Sequence, residues 1–244
     1  MTWSIIARDR DGSFGVAIAS RLFAVGALCV HTRRAVGALS TQALMNPLYG
    51  PAGIALLAEG VAAEDVIARL TGADEGRAQR QLHLIGASGR GAAYTGAQCI
   101  DWCGHRVHDD FSVAGNMLAG PDVLDATAAA FVASAGRPLD ERLVAAMAAG
   151  EAAGGDKRGK QAAALRIHGD EDHARLDLRV DDHEEPVAEL RRLQRKSLER
   201  FQPFVACLAG RRDPVGVLQR DEIERRIEAF AADREGRGGP SLAR

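Results

Sequence analysis

The chain has 244 residues, enough for one large domain or two small ones, and its 46% hydrophobic and 26% charged content is ordinary for a soluble globular protein. No run of about 18 apolar residues occurs, so no transmembrane helix and no membrane partner are expected. Met1-Thr2-Trp3-Ser4 carries no basic region or cleavage site, so no secretory signal is expected and the expected location is cytoplasmic. The formal net charge of −2 conceals an asymmetry: residues 191–244 hold 13 basic and 8 acidic side chains, whereas residues 1–190 carry a net −7.

The elements begin with strands. Thr2–Arg8, the turn Asp9-Arg10-Asp11-Gly12 and Ser13–Arg21 read as a hairpin. Ala24–Val30 and Ala35–Gln42 are small or β-branched and apolar, which predicts two further strands. Asn46-Pro47-Leu48-Tyr49-Gly50-Pro51 is a turn cluster leading into a helix, with Pro51 suited to its first turn. Ile54, Leu57, Ala58 and Val61, then Val66, Ile67 and Leu70, give helical periodicity broken near Gly60, hence two consecutive helices. Gln81–Gly86 and Gly91–Gly96 bracket the turn at Ala87-Ser88-Gly89-Arg90 as a second hairpin. The segment around His105 and His108 reads as an exposed loop, and Phe111–Leu118 as a strand.

Pro121 opens an Ala-rich helix to about Ala135, and Pro138 a second to about Ala153. Ala162–His168 and Ala174–Val180 form a last hairpin. Pro186 to about Leu208 reads as helix interrupted at Pro203. Ile223, Ile227 and Phe230 make one apolar stripe on a short terminal helix, and Arg234–Arg244 is expected to be disordered. Acids and bases alternate at helical spacing in this basic region, which favours an exposed ion-paired helix over a nucleic-acid surface.

Strand groups separated by helix pairs predict an α+β protein, a four-layer αββα sandwich in which each helix pair covers one outer face of two stacked sheets. The expected division is a domain over 1–195, a helical extension over 196–233 and a tail over 234–244. Cys29, Cys99, Cys103 and Cys207 are scattered without CxxC spacing and read as free, packed thiols.

Thr2 is the residue that points to chemistry. Methionine aminopeptidases remove Met before a residue as small as Thr. A Thr at a mature N-terminus entering a core strand is the arrangement of N-terminal-nucleophile hydrolases, in which the hydroxyl attacks a carbonyl and the α-amine takes the proton. An α-amine with a pKa of roughly 7.7–8.0 can serve as a base near neutral pH.

The sequence resembles the DUF1028 family, whose members are mostly bacterial and have an N-terminal-nucleophile-hydrolase-like fold with no firmly assigned reaction. The matching stretches are Thr2–Asp9, Gly15–Arg21, Val36–Gln42 with Asn46-Pro47 and Tyr49-Gly50, Trp102–His105, Gly115–Leu118, Gly154–Gln161 and Asp177–His183. They run in order to about residue 195. The opening is also similar to a proteasome β-subunit, with two departures. Ser20 stands where those subunits carry Asp, and the following strand offers Thr32, Arg33 and Arg34 but no Lys. These departures weigh against proteasome-like proteolysis and leave small-amide hydrolysis open.

Polar residues at the ends of apolar strands (Arg21, Gln42 and Asn116) and the charged turn at Asp156-Lys157-Arg158, which the resemblance places near the nucleophile, are the candidate site residues. Arg21 would hold charge near the α-amine and keep it deprotonated. Asn116 would donate to a tetrahedral oxyanion. Asp156 would anchor the amine, Lys157 or Arg158 would bind a substrate carboxylate, and Gln42 would line the same pocket. Gly154–Lys160 fits G-x-x-x-x-G-K but is followed by Gln161 rather than Ser or Thr, and it follows a helix rather than a strand, so no nucleotide is expected. His105, His108, Asp109 and Asp110 lack a further ligand at metal-binding spacing, and no cofactor is expected. Two readings result: an amidohydrolase acting on a small amide, or a non-catalytic binding or assembly protein on the same scaffold. A homo-oligomer is expected in either case.

Overall fold

The computed structural model describes residues 2–236. Two compact units divide the chain, the first ending at Leu190 and the second beginning at Arg191. The first unit is α+β and opens with the hairpin of β1 (Thr2–Arg8) and β2 (Phe14–Ser20). Its turn is fixed chemically: Gly12 takes φ +82, its N–H donates to the Asp9 carbonyl at 2.9 Å, and Ser13 N–H donates to Asp11 Oδ1 at 2.8 Å. The turn pairs Arg8 with Phe14 and so sets Thr2 opposite Ser20.

Then follow α1 (Gly26–Cys29), β3 (Val30–Arg33), β4 (Gly37–Ala43), α2 (Tyr49–Ala58), α3 (Ala63–Gly72), β5 (Arg80–Gly86), β6 (Gly91–Thr95), β7 (Trp102–His108), β8 (Phe111–Leu118), α4 (Asp122–Ala133), α5 (Leu139–Ala152), β9 (Ala162–His168) and β10 (Leu176–Val180). The strands form two antiparallel sheets. One has six strands in the order β10-β9-β2-β1-β8-β7, and the other four in the order β3-β4-β5-β6. Helices α4 and α5 lie against the six-stranded sheet, and α2 and α3 against the four-stranded one.

Both faces of β1 are covered, which explains why all but its last residue are buried. Trp3 points toward α4 and α5, where the space beside its ring exists only because Gly150 has no side chain: a Cβ there would sit 2.3 Å from Thr127 Oγ1 and 2.8 Å from Trp3 Nε1. On the other face, Ile6 joins Val16, Ile18, Ala38 and Ile85 in a core between the sheets. Leu39, Leu82 and Leu84 instead pack with Ile54, Leu57, Val66 and Ile67 beneath α2 and α3.

Two expectations within this unit require correction. Ala24–Val30 is not a strand: Ala24 sits at φ +52, and Gly26–Cys29 is a single helical turn ahead of β3. The segment around His105 is not a loop: Trp102–His108 pairs with β8 along the sheet edge, its half-exposed residues hiding the strand signal.

Helix α6 (Pro186–Glu199) contains the boundary between the units, and α7 (Phe201–Val205) and α8 (Arg220–Gly236) complete the second. The helical run breaks at Arg200, whose φ is −148, while Pro203 lies inside α7. The break therefore precedes the proline, which the first turn of the new helix tolerates. In α8, Ile227 is buried with Ile223 and Phe230 half-buried, and Glu222 pairs with Arg226 at 2.7 Å and Arg225 at 2.6 Å. Arg234–Gly236 continue α8, and the remainder of the expected disordered tail lies outside the described residues. Among the described residues no helix is long and apolar enough to cross a membrane.

Gly150→Ala should lower the stability of the chain by about 1–3 kcal/mol through overpacking against Trp3 and Thr127, despite the better helix propensity of Ala. Urea denaturation of the two proteins measures this, and an unchanged or raised midpoint would show that the α5 contact with β1 is loose.

Candidate functional site

Antiparallel pairing places Thr2 between two partners. Across one side of β1 it faces Ser20, and across the other Asn116. The alternation of β1 turns Thr2, Ser4 and Ile6 toward the second sheet. There the Thr2 hydroxyl donates to Ser20 Oγ at 3.1 Å, and Leu22 N–H donates to the same oxygen at 3.0 Å.

Thr2 and Asn116 line a cavity of about 530 Å³ at this end of the sheets. Its walls include Arg21 and Leu22 after β2, Leu44 and Met45 after β4, Met117 near the end of β8, and Ile100 ahead of β7. Ala43 and Met117, both in the lining, adopt the left-handed conformation at φ +66 and +55. A residue with a Cβ costs roughly 1–2 kcal/mol in that conformation. Such strain gathers where the surrounding structure holds a site in shape.

Behind Asn116 the space between the sheets is polar. Asn116 Nδ2 donates to Gln81 Oε1 at 2.9 Å, and Gln42 Nε2 donates to the same oxygen at 2.7 Å. Gln81 Nε2 lies 2.8 Å from the Gly115 carbonyl and 2.9 Å from Thr95 Oγ1. Ser4 Oγ is 2.7 Å from Gln42 Oε1 and 2.8 Å from His83 Nε2. Gln42 Oε1 can only accept, so the single Ser4 proton goes to it. His83 Nε2 must then carry a proton and donate to Ser4. Its Nδ1 accepts from Ser112 Oγ at 3.1 Å. The chain of bonds has one direction, from Ser112 through His83, Ser4 and Gln42 to Gln81, and it presents Gln81 Oε1 to the Asn116 amide. Burial, with His105 nearby, depresses the His83 pKa to about 3, so the ring is neutral.

The expected site residues divide into groups. Thr2, Asn116, Arg21 and Arg158 share the cavity. Gln42 does not line it: the side chain is fully buried and lies behind Asn116, joined to it through Gln81. Lys157 is not among the described lining residues, and its ammonium pairs with Asp101 at 3.2 Å. Asp156 has a fully buried side chain whose oxygens accept from Arg158 N–H at 2.8 Å and Arg21 N–H at 3.3 Å, with the Arg158 guanidinium 3.7 Å away. These contacts make it the anchor of the two arginines. The Arg21 guanidinium in turn donates to the Arg158 carbonyl.

Ser4, Gln81 and His83 are site residues that the sequence does not single out, and Ser20 stands out there only as a departure from the proteasome pattern. For Ser20 the signal exists: counting back from the Asp9–Gly12 turn fixes the register and sets it opposite Thr2. Gln81 and His83 alternate with Leu82 and Leu84, a pattern indistinguishable from a strand with one face in water.

Burial raises the pKa of Cys99, which also lines the cavity, and of Cys103, so both are held as thiols near neutral pH. His105 Nδ1 is 2.9 Å from Thr95 Oγ1, and His108 stacks on Phe111 at 4.3 Å. Among the described residues no group of three His, Cys, Asp or Glu side chains is arranged to hold a metal ion.

Two outcomes are expected. Gln81→Leu should cost at least ~2 kcal/mol, because it leaves the buried Asn116 and Gln42 amides without their acceptor; chemical denaturation reads it. Acid should destabilise the fold before ordinary carboxylates titrate. Below the reference histidine pKa of about 6.5 the unfolded chain binds a proton that folded His83 refuses until about pH 3. Stability therefore falls with pH across that window, by up to ~1.4 kcal/mol per unit. His105 and His168, also depressed by burial, act with the same sign. His83→Gln should lose about 2 kcal/mol less than the parent between pH 7 and pH 5, and equal losses would show that His83 titrates normally.

Comparison with known proteins agrees with this architecture. The crystal structure of protein SPO2555 from Silicibacter pomeroyi, described as a DUF1028 protein, superposes with a TM-score of 0.82 at 29% identity, covering 89% of this chain and 96% of that one. Anbu, the ancestral β-subunit from Yersinia bercovieri, covers 80% of this chain and 94% of its own at 13% identity and a TM-score of 0.39, a likeness too distant to carry weight. A search of curated proteins gives no match. The model of DUF1028, a family of unknown function, matches residues 2–190. The chain belongs to the DUF1028 family.

Proposed function

We propose that this protein is an amidohydrolase of the N-terminal-nucleophile type, with Thr2 as nucleophile, and that its two helix-covered sheets form the four-layer αββα sandwich of that class. The observation that carries the reading is the position of Thr2. It is the first residue of a central strand, it lines a cavity, and it is flanked by a hydroxyl on one neighbouring strand and a carboxamide on the other.

In this mechanism removal of Met1 frees the Thr2 α-amine. The amine takes the hydroxyl proton as Oγ1 attacks the amide carbonyl. Ser20 accepts a hydrogen bond from that hydroxyl in the resting state and so orients it. The Asn116 amide has two N–H groups, and Gln81 Oε1 takes one of them. The other is available to the tetrahedral oxyanion. Collapse breaks the C–N bond, the α-ammonium proton goes to the departing amine, and the acyl group stays on Thr2 as an ester. Water then adds with the amine again as base, releasing the carboxylic acid and restoring the hydroxyl. No separate histidine is needed, in keeping with a cavity whose described lining contains none.

The test is a screen of small amides with protein whose loss of Met1 is verified by intact mass. Thr2→Ala should abolish hydrolysis and Thr2→Ser should retain part of it. Asn116→Ala should lower kcat about 10²–10³-fold. kcat/KM should rise to a plateau above pH ~8, as the amine deprotonates. Hydrolysis that survives Thr2→Ala would contradict the proposal. Ligand binding by processed protein without hydrolysis would favour a binding scaffold.

A further inference from the structure

The two sides of the cavity differ chemically. In the sheet order β9-β2-β1-β8, Thr2 stands on β1 in the middle of the site. Arg21 follows β2, and Arg158 lies on the segment that crosses the strand ends from β8, where Asp156 bridges Leu118 and Lys157 N–H donates to the Met117 carbonyl at 3.4 Å, to β2; the two arginines are held together by the guanidinium-to-carbonyl bond and both anchored on buried Asp156. The Gln161 N–H donates to the Ser20 carbonyl at 2.9 Å and closes the Arg158 segment onto β2. On the β8 side lie Met117 and Ile100, joined by the Met117 N–H donating to the Ile100 carbonyl at 3.2 Å, and Leu44 and Met45 enter from the second sheet. Leu44 and Ile100 both line the cavity and are 61% and 60% exposed, and Gln79 and Gln98 line it as well.

The charge of the described lining sits on these two arginines. Among the described lining residues none is acidic. Asp156 is buried and accepts from backbone N–H groups, so it anchors the arginines from behind without presenting a carboxylate to the cavity. Lys157 is already paired with Asp101. The cationic end is therefore built from two guanidiniums on fixed backbone; one N–H of Arg21 goes to the Arg158 carbonyl and the Arg158 group rests 3.7 Å from Asp156, and their remaining donors suit a carboxylate. Leu44, Met45, Ile100 and Met117 offer apolar area, interrupted by Gln79 and Gln98, that a hydrocarbon chain would cover.

We infer that the cavity selects amides carrying a carboxylate on one side of the scissile bond and an apolar chain on the other, N-acyl amino acids being the simplest members of the class. This selectivity rests on the reading of Thr2 as the reacting residue for its relevance to turnover, but binding tests it separately. The amide would lie over Thr2 and Asn116, its carboxylate against Arg21 and Arg158 and its acyl chain along Met117, Ile100 and Leu44.

Calorimetric titration of the full-length Thr2→Ala protein would use three probes: N-octanoylglycine, its neutral analogue N-octanoylglycinamide, and N-acetylglycine. N-octanoylglycine should bind about ten-fold or more tightly than either of the others. An Arg21→Gln/Arg158→Gln pair, placed at exposed positions, should abolish the advantage over the neutral amide while leaving the affinity for that amide unchanged. Equal affinity for the acid and its amide, survival of the preference in the double variant, or no binding of N-octanoylglycine would each overturn the inference. Hydrolysis of the same compounds by processed wild-type protein separates the two claims. Selective binding without turnover upholds the selectivity and contradicts the Thr2 chemistry. Turnover of the acid and the neutral amide at equal kcat/KM does the reverse.

Discussion

Gln81 carries its carboxamide into the space between two β-sheets with no exposed surface. Its oxygen accepts from Asn116 on one sheet and from Gln42 on the other, and its nitrogen reaches the Gly115 carbonyl across the gap. A buried amide that lost these partners would pay the full desolvation penalty, so the two sheets are held at the separation that satisfies it. Where Ile6, Val16 and Ile85 fill the space further along, the sheets adhere by apolar packing, which carries no directional requirement. The polar end carries one. It is also the end that holds Thr2 and Asn116, so the part of the interface with the least geometric freedom sits directly behind the proposed chemistry.

Neutral His83 completes this arrangement. Its tautomer is dictated by Ser4, whose one proton is committed to Gln42, and its low pKa follows from burial beside another imidazole. Protonation would put a second donor where Nδ1 now accepts from Ser112 and would reverse that one bond, while Nε2–H would still donate to Ser4. The orientation of the Asn116 amide is thereby linked to a histidine that lines no part of the cavity. Asp156, which bridges Leu118 on β8, does comparable work at the strand ends: a carboxylate with no exposed side-chain surface fixes the backbone of Arg21 and Arg158, both exposed residues of the cavity lining.

Much of this architecture is legible in the residues. Gly12 in its turn sets the hairpin register, Gly60 separates two helices, and Pro121 and Pro138 open the next two. Thr2, Arg21 and Asn116 are legible because a polar residue at the end of an apolar strand adds nothing to the core that the strand builds. Gln81 and His83 are not, because their alternation with Leu82 and Leu84 encodes which residues share a face, not which face meets water. Here the leucines pack under helices and the polar face turns inward toward the other sheet. The strand Trp102–His108 is hidden for the converse reason: an edge strand of half-exposed residues lacks the contrast that marks a core strand. Gln42 stands out in the sequence as a polar end to an apolar strand, yet that position does not distinguish the cavity wall from the buried layer behind it, where Gln42 lies.

The central claim is that Thr2 is a nucleophile once its amine is free. Processed protein treated with a small β-lactone, which acylates a reactive hydroxyl and leaves a stable ester, tests it most directly through intact mass and peptide mapping. A nucleophilic Thr2 gives a single adduct, mapped to Thr2 and absent from Thr2→Ala. An adduct confined to Cys99 or to a lysine, or none in a chain shown to begin at Thr2, would contradict it.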